Sequence, residues 1–199
     1  TDMATPSLAH FESDELKQEF LAPAIRGEIV SAIAVTEPDA GSDVKGIRTT
    51  ARWDGSHYVL NGSKMFITNG VLGDVYCVAA KTDTSGPASQ SVTMFIVEKG
   101  TPGFSVSRSL DKHGWRSSDT AELSFADVRL PPDAVLGQAG RGFYEIMKNF
   151  QNERLVLGAM SMGEAQAALE LTVDYVKDRK AFGAPLWDKQ VIRQRLAEL

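Results

Sequence analysis

The sequence predicts an α+β fold: a central antiparallel β-barrel flanked by helices, with a bundle of longer helices beginning after it. Two changes of pattern carry that expectation. From Ile29 to about Gly137, short runs rich in Val, Ile, Thr, Phe and Tyr alternate with the turn-forming stretches DGSH, NGSK, DTSGPASQ, KGTPG and LPPD. Several short strands in one such region fold as a compact barrel or sandwich. Beyond Gly142 the period becomes helical, and the stretch from Asn152 to Phe182 has no Pro and is rich in Ala, Leu, Met, Glu and Lys.

Taken in chain order, residues 13–26 offer Ser13 as an N-cap, Asp14 and Glu15 in the first turn, and Leu16 with Phe20 at i, i+4. These predict a short helix ending near Pro23. The apolar run IVSAIAV then reads as a strand, and TEPDAGSD, residues 36–43, follows it. That stretch has two readings. It is a surface turn built by Pro, Gly and short polar side chains, or its backbone N–H groups and the hydroxyls of Thr36 and Ser42 face an anionic or hydrogen-bonding ligand. YVLNGSKMFI carries the clearest hairpin signal, with Asn61 and Gly62 between two apolar runs, and SVTMFIVEKG and AELSFADVRL add further strands. In the helical region, Ala159, Gly163 and Ala167 form a stripe of small residues that would let another helix approach closely. A second amphipathic helix starts after GAPLWDK, and its pattern of Ile192, Leu196 and Leu199 runs to the end of the chain, so the chain reads as cut in mid-element.

With 199 residues, 43% hydrophobic and 24% charged, the chain has enough apolar content for a real core. No stretch approaches ~18 uninterrupted apolar residues, and TDMATPSLAHF lacks a basic region followed by an apolar one, so neither a membrane span nor a secretory signal is expected. The expected location is cytoplasmic, or the mitochondrial matrix in a eukaryote. Cys77 is the single cysteine and cannot form an internal disulfide, while His10, His57 and His113 show no metal-ligand spacing. A net charge of -5 argues against non-specific nucleic-acid binding, with Lys177, Arg179 and Lys180 as a local exception. There is no phosphate-binding Gly-Lys-Ser/Thr loop, no Rossmann glycine fingerprint and no Gly-x-Ser-x-Gly elbow.

Three separated blocks carry a more specific signal: AVTEPDAGSDVKG (34–46), MFITNG (65–70) and DRKAFGAPL with Gln190 (178–190). Together with KHGWRSSDTAELSFADVRLP and NERLVLG, they resemble the acyl-CoA dehydrogenase family, in order and over nearly the whole chain. The resemblance implies FAD-dependent removal of two hydrogens from an acyl-CoA thioester, with proton abstraction at Cα and hydride transfer from Cβ to flavin N5. Electrons would then pass to an electron-transfer flavoprotein or a similar acceptor. It also implies a homo-oligomer, dimer or tetramer. The family fold divides the chain into 1–28, the end of a helical N-terminal domain; 29–138, the middle β-barrel domain; and 139–199, the first two helices of a truncated four-helix bundle.

By the same resemblance, Ile33, Ala34, Val35 and Thr36 run along the flavin edge, and Ser42 lies near the pyrophosphate and the CoA moiety. Fixed donors of this kind would stabilise the electron-rich reduced flavin without reorganisation. Glu37 and Asp43 read as turn-stabilising groups. Phe66, Ile67 and Thr68 would form the second wall, although an aromatic at a strand end is as often barrel core. Many relatives have Trp where this chain has Phe66. Arg179, Phe182 and Gln190 would reach the FAD of a neighbouring subunit, Arg179 through its forked guanidinium, while Ala181 departs from the polar residue often found there.

The reaction needs a carboxylate to take the α-proton. In many relatives that base lies on a loop beyond this chain's last residue. In the isovaleryl and long-chain branches it lies at the position matched by Glu153. Flanking Phe150, Leu155, Val156 and Leu157 favour Glu153, because burial among them would raise its pKa. Arg154 would orient the site, and Gln151 and Asn152 would line the acyl-CoA path. The alternatives are a related flavin-dependent acyl-CoA oxidase, or an inactive fragment that folds and associates without FAD.

Overall fold

The computed structural model describes residues 4–11, 14–83 and 85–199, so the expected N-cap at Ser13 lies outside the described residues. α1 (Thr5–Phe11) is followed by α2 (Asp14–Leu16), a wider turn at Lys17–Leu21, and α3 (Ala22–Arg26). In the wider turn the amide of Ala22 reaches back five residues to the carbonyl of Lys17. The helical path does not stop near Pro23. Pro23 falls in the first turn of α3, directly after the wider turn, and Gly27 closes the helix at φ 75°.

Eight strands follow in one sheet: β1 (Ser31–Ala34), β2 (Thr50–Trp53), β3 (Tyr58–Thr68), β4 (Val75–Lys81), β5 (Val92–Glu98), β6 (Phe104–Ser109), β7 (Thr120–Leu130) and β8 (Val135–Leu136). The α+β class stands, with two refinements. The strand order is β6-β7-β3-β2-β4-β5-β8 with β1 beside β4, a path with two ends rather than a closed ring. The sheet is also mixed, since β1 and β2 both pair with β4 in parallel.

Asn61 and Gly62 do not form a hairpin, because β3 runs through them unbroken. Gly62 (φ 149°) marks a register shift against β7, and a Cβ there would sit 2.7 Å from the Cα of Thr49. The glycine therefore serves close backbone approach rather than a reverse turn. Asn61 turns its amide to Asp127, donating to Oδ1 at 3.0 Å and accepting from the Asp127 amide at 2.9 Å. The reversal lies earlier, at DGSH, where the amide of Asp54 donates to the carbonyl of His57 at 3.0 Å.

The chain divides into two compact units, Thr1–Gln151 and Asn152–Leu199. In the first, the two-residue period of β4 sends Tyr76, Val78 and Ala80 to one apolar cluster and Val75, Cys77 and Ala79 to another. Burial of both faces explains why β4 and β5 read as continuous apolar runs. The first cluster also collects Leu60, Ile67, Leu123 and Phe125 from β3 and β7. The second is covered by Leu8, Phe20 and the first turns of α4 (Gly142–Asp178), whose Phe143, Ile146, Met147 and Phe150 recur at helical spacing.

In the second unit α4 ends at Asp178, four residues short of Phe182. A small hairpin, β9 (Lys180–Ala181) with β10 (Ala184–Pro185), follows and leads to α5 (Gln190–Glu198). The small-residue stripe Ala159, Gly163 and Ala167 is exposed. No helix among the described residues is long and apolar enough to cross a membrane.

Candidate cofactor and substrate site

The three residues after β1 are each tied to β3. Lys64 Nζ donates to the Val35 carbonyl at 3.0 Å and to Glu37 Oε1 at 2.7 Å, and the Met65 amide donates to the Thr36 carbonyl at 2.8 Å. Glu37 also accepts the amides of Arg48 at 2.5 Å and Thr49 at 3.1 Å. The Lys64–Glu37 pair is buried, with side chains 0% and 6% exposed. Burial acts to raise the Glu37 pKa, but the Lys64 ammonium and the amide donors outweigh it and hold the carboxyl below its usual range. Burial pushes the Lys64 ammonium down to about 8, against the pull of Glu37.

Beyond Thr36, Glu37 and Ala40 exchange backbone hydrogen bonds of 2.9 and 3.1 Å, with Pro38 and Asp39 at the corners. Glu37 is thus the turn-stabilising group that the sequence suggests. Thr36 is half-buried, and Ser42, just past the turn, is exposed.

The facing segment is shaped by a bulge. The register of β3 against β7 shifts between Lys64 and Ile67, and Phe66 takes the left-handed conformation at φ 59°. For a bulky residue that conformation costs about 1–2 kcal/mol. The extra residue lets Lys64 and Ile67 both stay buried while Phe66, 63% exposed, turns outward. Phe66 is therefore not barrel core. Thr68 is also exposed, at the end of the strand, opposite Thr120.

The rest of MFITNG locks this geometry. Asn69 adopts φ 60°, which Asn tolerates, and its Nδ2 donates to the Ser31 carbonyl at 3.0 Å. Gly70 packs where a Cβ would meet the Ala121 Cβ at 2.7 Å. The Tyr76 hydroxyl holds the following turn through the carbonyls of Gly70 and Gly73, at 3.1 and 2.8 Å. With Met65 fixed to Thr36 and Asn69 fixed to Ser31, the segments Ile33–Thr36 and Met65–Thr68 lie side by side.

In the second unit Glu153 is half-buried, and that burial raises its carboxyl pKa against the opposing charge of Arg154. Asn152 and Arg154 are exposed, as is Gln151 at the end of the first unit. After α4, the Arg179 amide donates to the Tyr175 carbonyl at 2.8 Å, and the Arg179 carbonyl accepts from the Leu186 amide at 2.8 Å. Between them Phe182 and Gly183, at φ 54° and 79°, form a two-residue turn that leaves Phe182 98% exposed. Lys189 Nζ sits 5.7 Å from the centre of the Phe182 ring. Arg179 and Gln190 are exposed on the same hairpin and the following helix start.

The structure thus gathers the expected residues into two groups: Ile33–Thr36 with Phe66–Thr68 in the first unit, and Arg179, Phe182 and Gln190 in the second. Ala34, Val35 and Ile67 bury their side chains, so they offer backbone groups alone. The Lys64–Glu37 pair is the feature that sequence reasoning missed. Its one visible signal was a lysine set within the run that continues as MFI, where a solvated side chain would be out of phase.

Residues 32–128 match the family described as "Acyl-CoA dehydrogenase, middle domain", and residues 140–199 match "Acyl-CoA dehydrogenase, C-terminal domain". The mitochondrial long-chain specific acyl-CoA dehydrogenase of Sus scrofa is 43% identical over 200 residues, covering 100% of this chain and 46% of that protein. The crystal structure of acyl-CoA dehydrogenase from Geobacillus kaustophilus matches with a TM-score of 0.95 and 44% identity, over 99% of this chain and 52% of that one. The FAD complex of PigA matches with a TM-score of 0.93 and 33% identity, over 99% of this chain and 51% of that one. The chain spans about half the length of these relatives.

Proposed function

The chain belongs to the acyl-CoA dehydrogenase family, and on that premise we propose that the full-length protein removes two hydrogens from Cα and Cβ of an acyl-CoA thioester with FAD as its cofactor. One observation carries the reading: Thr36, Phe66 and Thr68 are aligned on two segments pinned to each other, with an aromatic face turned outward at a conformational cost.

The residues present fit a flavin. An exposed ring offers a stacking face, and the flanking hydroxyls of Thr36 and Thr68 offer hydrogen-bonding groups. When bound, FAD supplies the acceptor for the hydride leaving Cβ. The rest falls to the chain. Thr36, the backbone of Ile33–Val35 and Phe66–Thr68 would hold the flavin, and Ser42 would serve the pyrophosphate and CoA moiety. Glu153 takes the α-proton. Its raised pKa matches a base that must bind a proton firmly enough to remove it from carbon, and the similarity to a long-chain enzyme supports this position over a base elsewhere. Arg154 orients that carboxylate, and Gln151 and Asn152 line the acyl path. Arg179, Phe182 and Gln190 extend to the cofactor of a second copy in a homo-oligomer. An electron-transfer flavoprotein or similar partner removes the electrons, in the cytoplasm or the mitochondrial matrix.

The test is product analysis. The full-length protein, supplied with FAD, an acyl-CoA and an artificial electron acceptor, should convert the thioester to its α,β-unsaturated form. FAD-loaded protein that leaves a range of acyl-CoAs unchanged would overturn the proposal. Turnover driven by oxygen alone would make it an oxidase.

A further inference from the structure

Three consecutive residues just after β1 are held by two consecutive residues of β3. Lys64 Nζ binds the carbonyl of Val35 and the carboxylate of Glu37, and between those two contacts the Met65 amide binds the carbonyl of Thr36. The next residue is Phe66. Thr36 and Phe66, the hydroxyl and the ring of the proposed cofactor surface, are therefore spaced by this one clamp. Glu37 is in turn fixed by the amides of Arg48 and Thr49, so the clamp is anchored at its far end as well.

Stability alone does not call for such a pair. Replacing a buried ion pair by apolar residues of similar volume is often neutral or stabilising, whereas removing one partner strands a buried charge. A Leu or Met at position 64 would join the apolar cluster on this face of β3 but would leave the Val35 carbonyl and the Glu37 carboxylate unheld. What the ammonium adds is direction: its donors fix the path of Val35, Thr36 and Glu37 relative to Met65 and Phe66.

We infer that Lys64, through Glu37 and the Val35 carbonyl, is a positioning residue that sets the spacing between the Thr36 hydroxyl and the Phe66 ring, and thereby the fit of the flavin. This rests on the proposed function. It assigns Lys64 no contact with the cofactor.

The test uses the full-length protein with Glu37→Gln and Lys64→Met combined, which removes both charges at nearly constant volume and strands neither. Two quantities are read: FAD affinity by fluorescence titration, and hydrogen exchange at the Met65 amide without FAD. The expected result is FAD binding weakened about 10-fold or more, faster exchange at Met65, and a shifted visible band for the flavin that still binds, with a smaller fall in Tm than a large-to-small core substitution gives. Should the double variant melt early, Lys64→Gln combined with Glu37→Gln carries the same test, because it strands no charge and replaces the ammonium by a shorter neutral side chain. As a control, Leu60→Ala, at an equally buried neighbouring position, should lower Tm and leave FAD affinity unchanged. Unchanged affinity and an unchanged flavin band in a folded clamp variant overturn the positioning role while leaving the flavoprotein reading intact. A wild-type protein that takes up no FAD overturns both.

Discussion

In the first unit buried neighbours back Thr36, Phe66 and Thr68, whereas from Leu155 to Tyr175 the second unit leaves apolar side chains themselves exposed. Phe66 stands between Lys64 and Ile67, both of which are buried, and Thr36 follows buried Ala34 and Val35. On α4, by contrast, Leu155, Leu157, Met162, Leu171 and Tyr175 are all exposed, beside the open stripe of Ala159, Gly163 and Ala167. Contiguous apolar surface of this kind marks a place where more protein packs. The proposed cofactor wall is thus held by its own unit, while the helix carrying Glu153, which leads to the hairpin of Arg179 and Phe182, calls for further surface to cover it. The remaining helices of the proposed four-helix bundle and a second copy in the proposed homo-oligomer are the occupants that the proposed function supplies.

The largest expected effect separates chemistry from support. Glu153→Gln in the full-length protein should leave FAD bound but slow flavin bleaching by acyl-CoA at least ~10²-fold, since it removes the proton acceptor at constant volume. Bleaching at the wild-type rate would move the base elsewhere. The wild-type rate should also carry a pH signature. Burial raises the Glu153 pKa above the ordinary carboxylate value, and a base works when ionised, so the rate should fall as pH drops through that raised value. The limb should be missing in Glu153→Gln.

The next effect strikes the frame. Gly62→Ala would drive a Cβ to 2.7 Å from the Thr49 Cα, at a φ of 149°, and should destabilise the first unit by about 1–3 kcal/mol, read as a lower Tm with weakened FAD binding. The matched change on the helix, Gly163→Ala, meets nothing within 4 Å. It should stabilise the isolated chain by about 1 kcal/mol through helix propensity. If a second helix packs on the stripe, the same change should destabilise the assembled full-length protein, so the sign of the shift reports whether that face is covered.

The smallest effect is the most specific. Phe66→Gly relieves a left-handed φ of 59° and should raise stability by up to about 1 kcal/mol, yet lower FAD affinity. A loss of both would return Phe66 to a packing role.

Much of this arrangement was legible from local pattern, because strand and helix periods and turn residues act within a few positions of themselves. TEPDAGSD and MFITNG were paired only through the resemblance to a family, whereas the β region and the long helix fell where periodicity put them. What escaped depends on distant partners. Asn61–Gly62 carries every local mark of a hairpin, but Gly62 is there because the Thr49 backbone crosses it. Phe66 gives no sequence hint of its positive φ, which follows from keeping both Lys64 and Ile67 buried across a bulge. Lys64 lies in phase with the buried side of its strand, but the partner that makes its burial possible, Glu37, lies 27 positions away. The helix end at Asp178 rather than Phe182 reflects the tight Phe182–Gly183 turn, which no Pro or Gly announces before Gly183.

The most direct test of the account is a single-turnover experiment. Purified full-length protein carrying FAD is mixed with an acyl-CoA in the absence of oxygen and of any other electron acceptor, and the visible flavin band is followed. The band should bleach as two hydrogens leave the thioester and return when an acceptor is added. A flavin band that stays unchanged across branched, short-chain and long-chain acyl-CoAs, with FAD demonstrably bound, would contradict it.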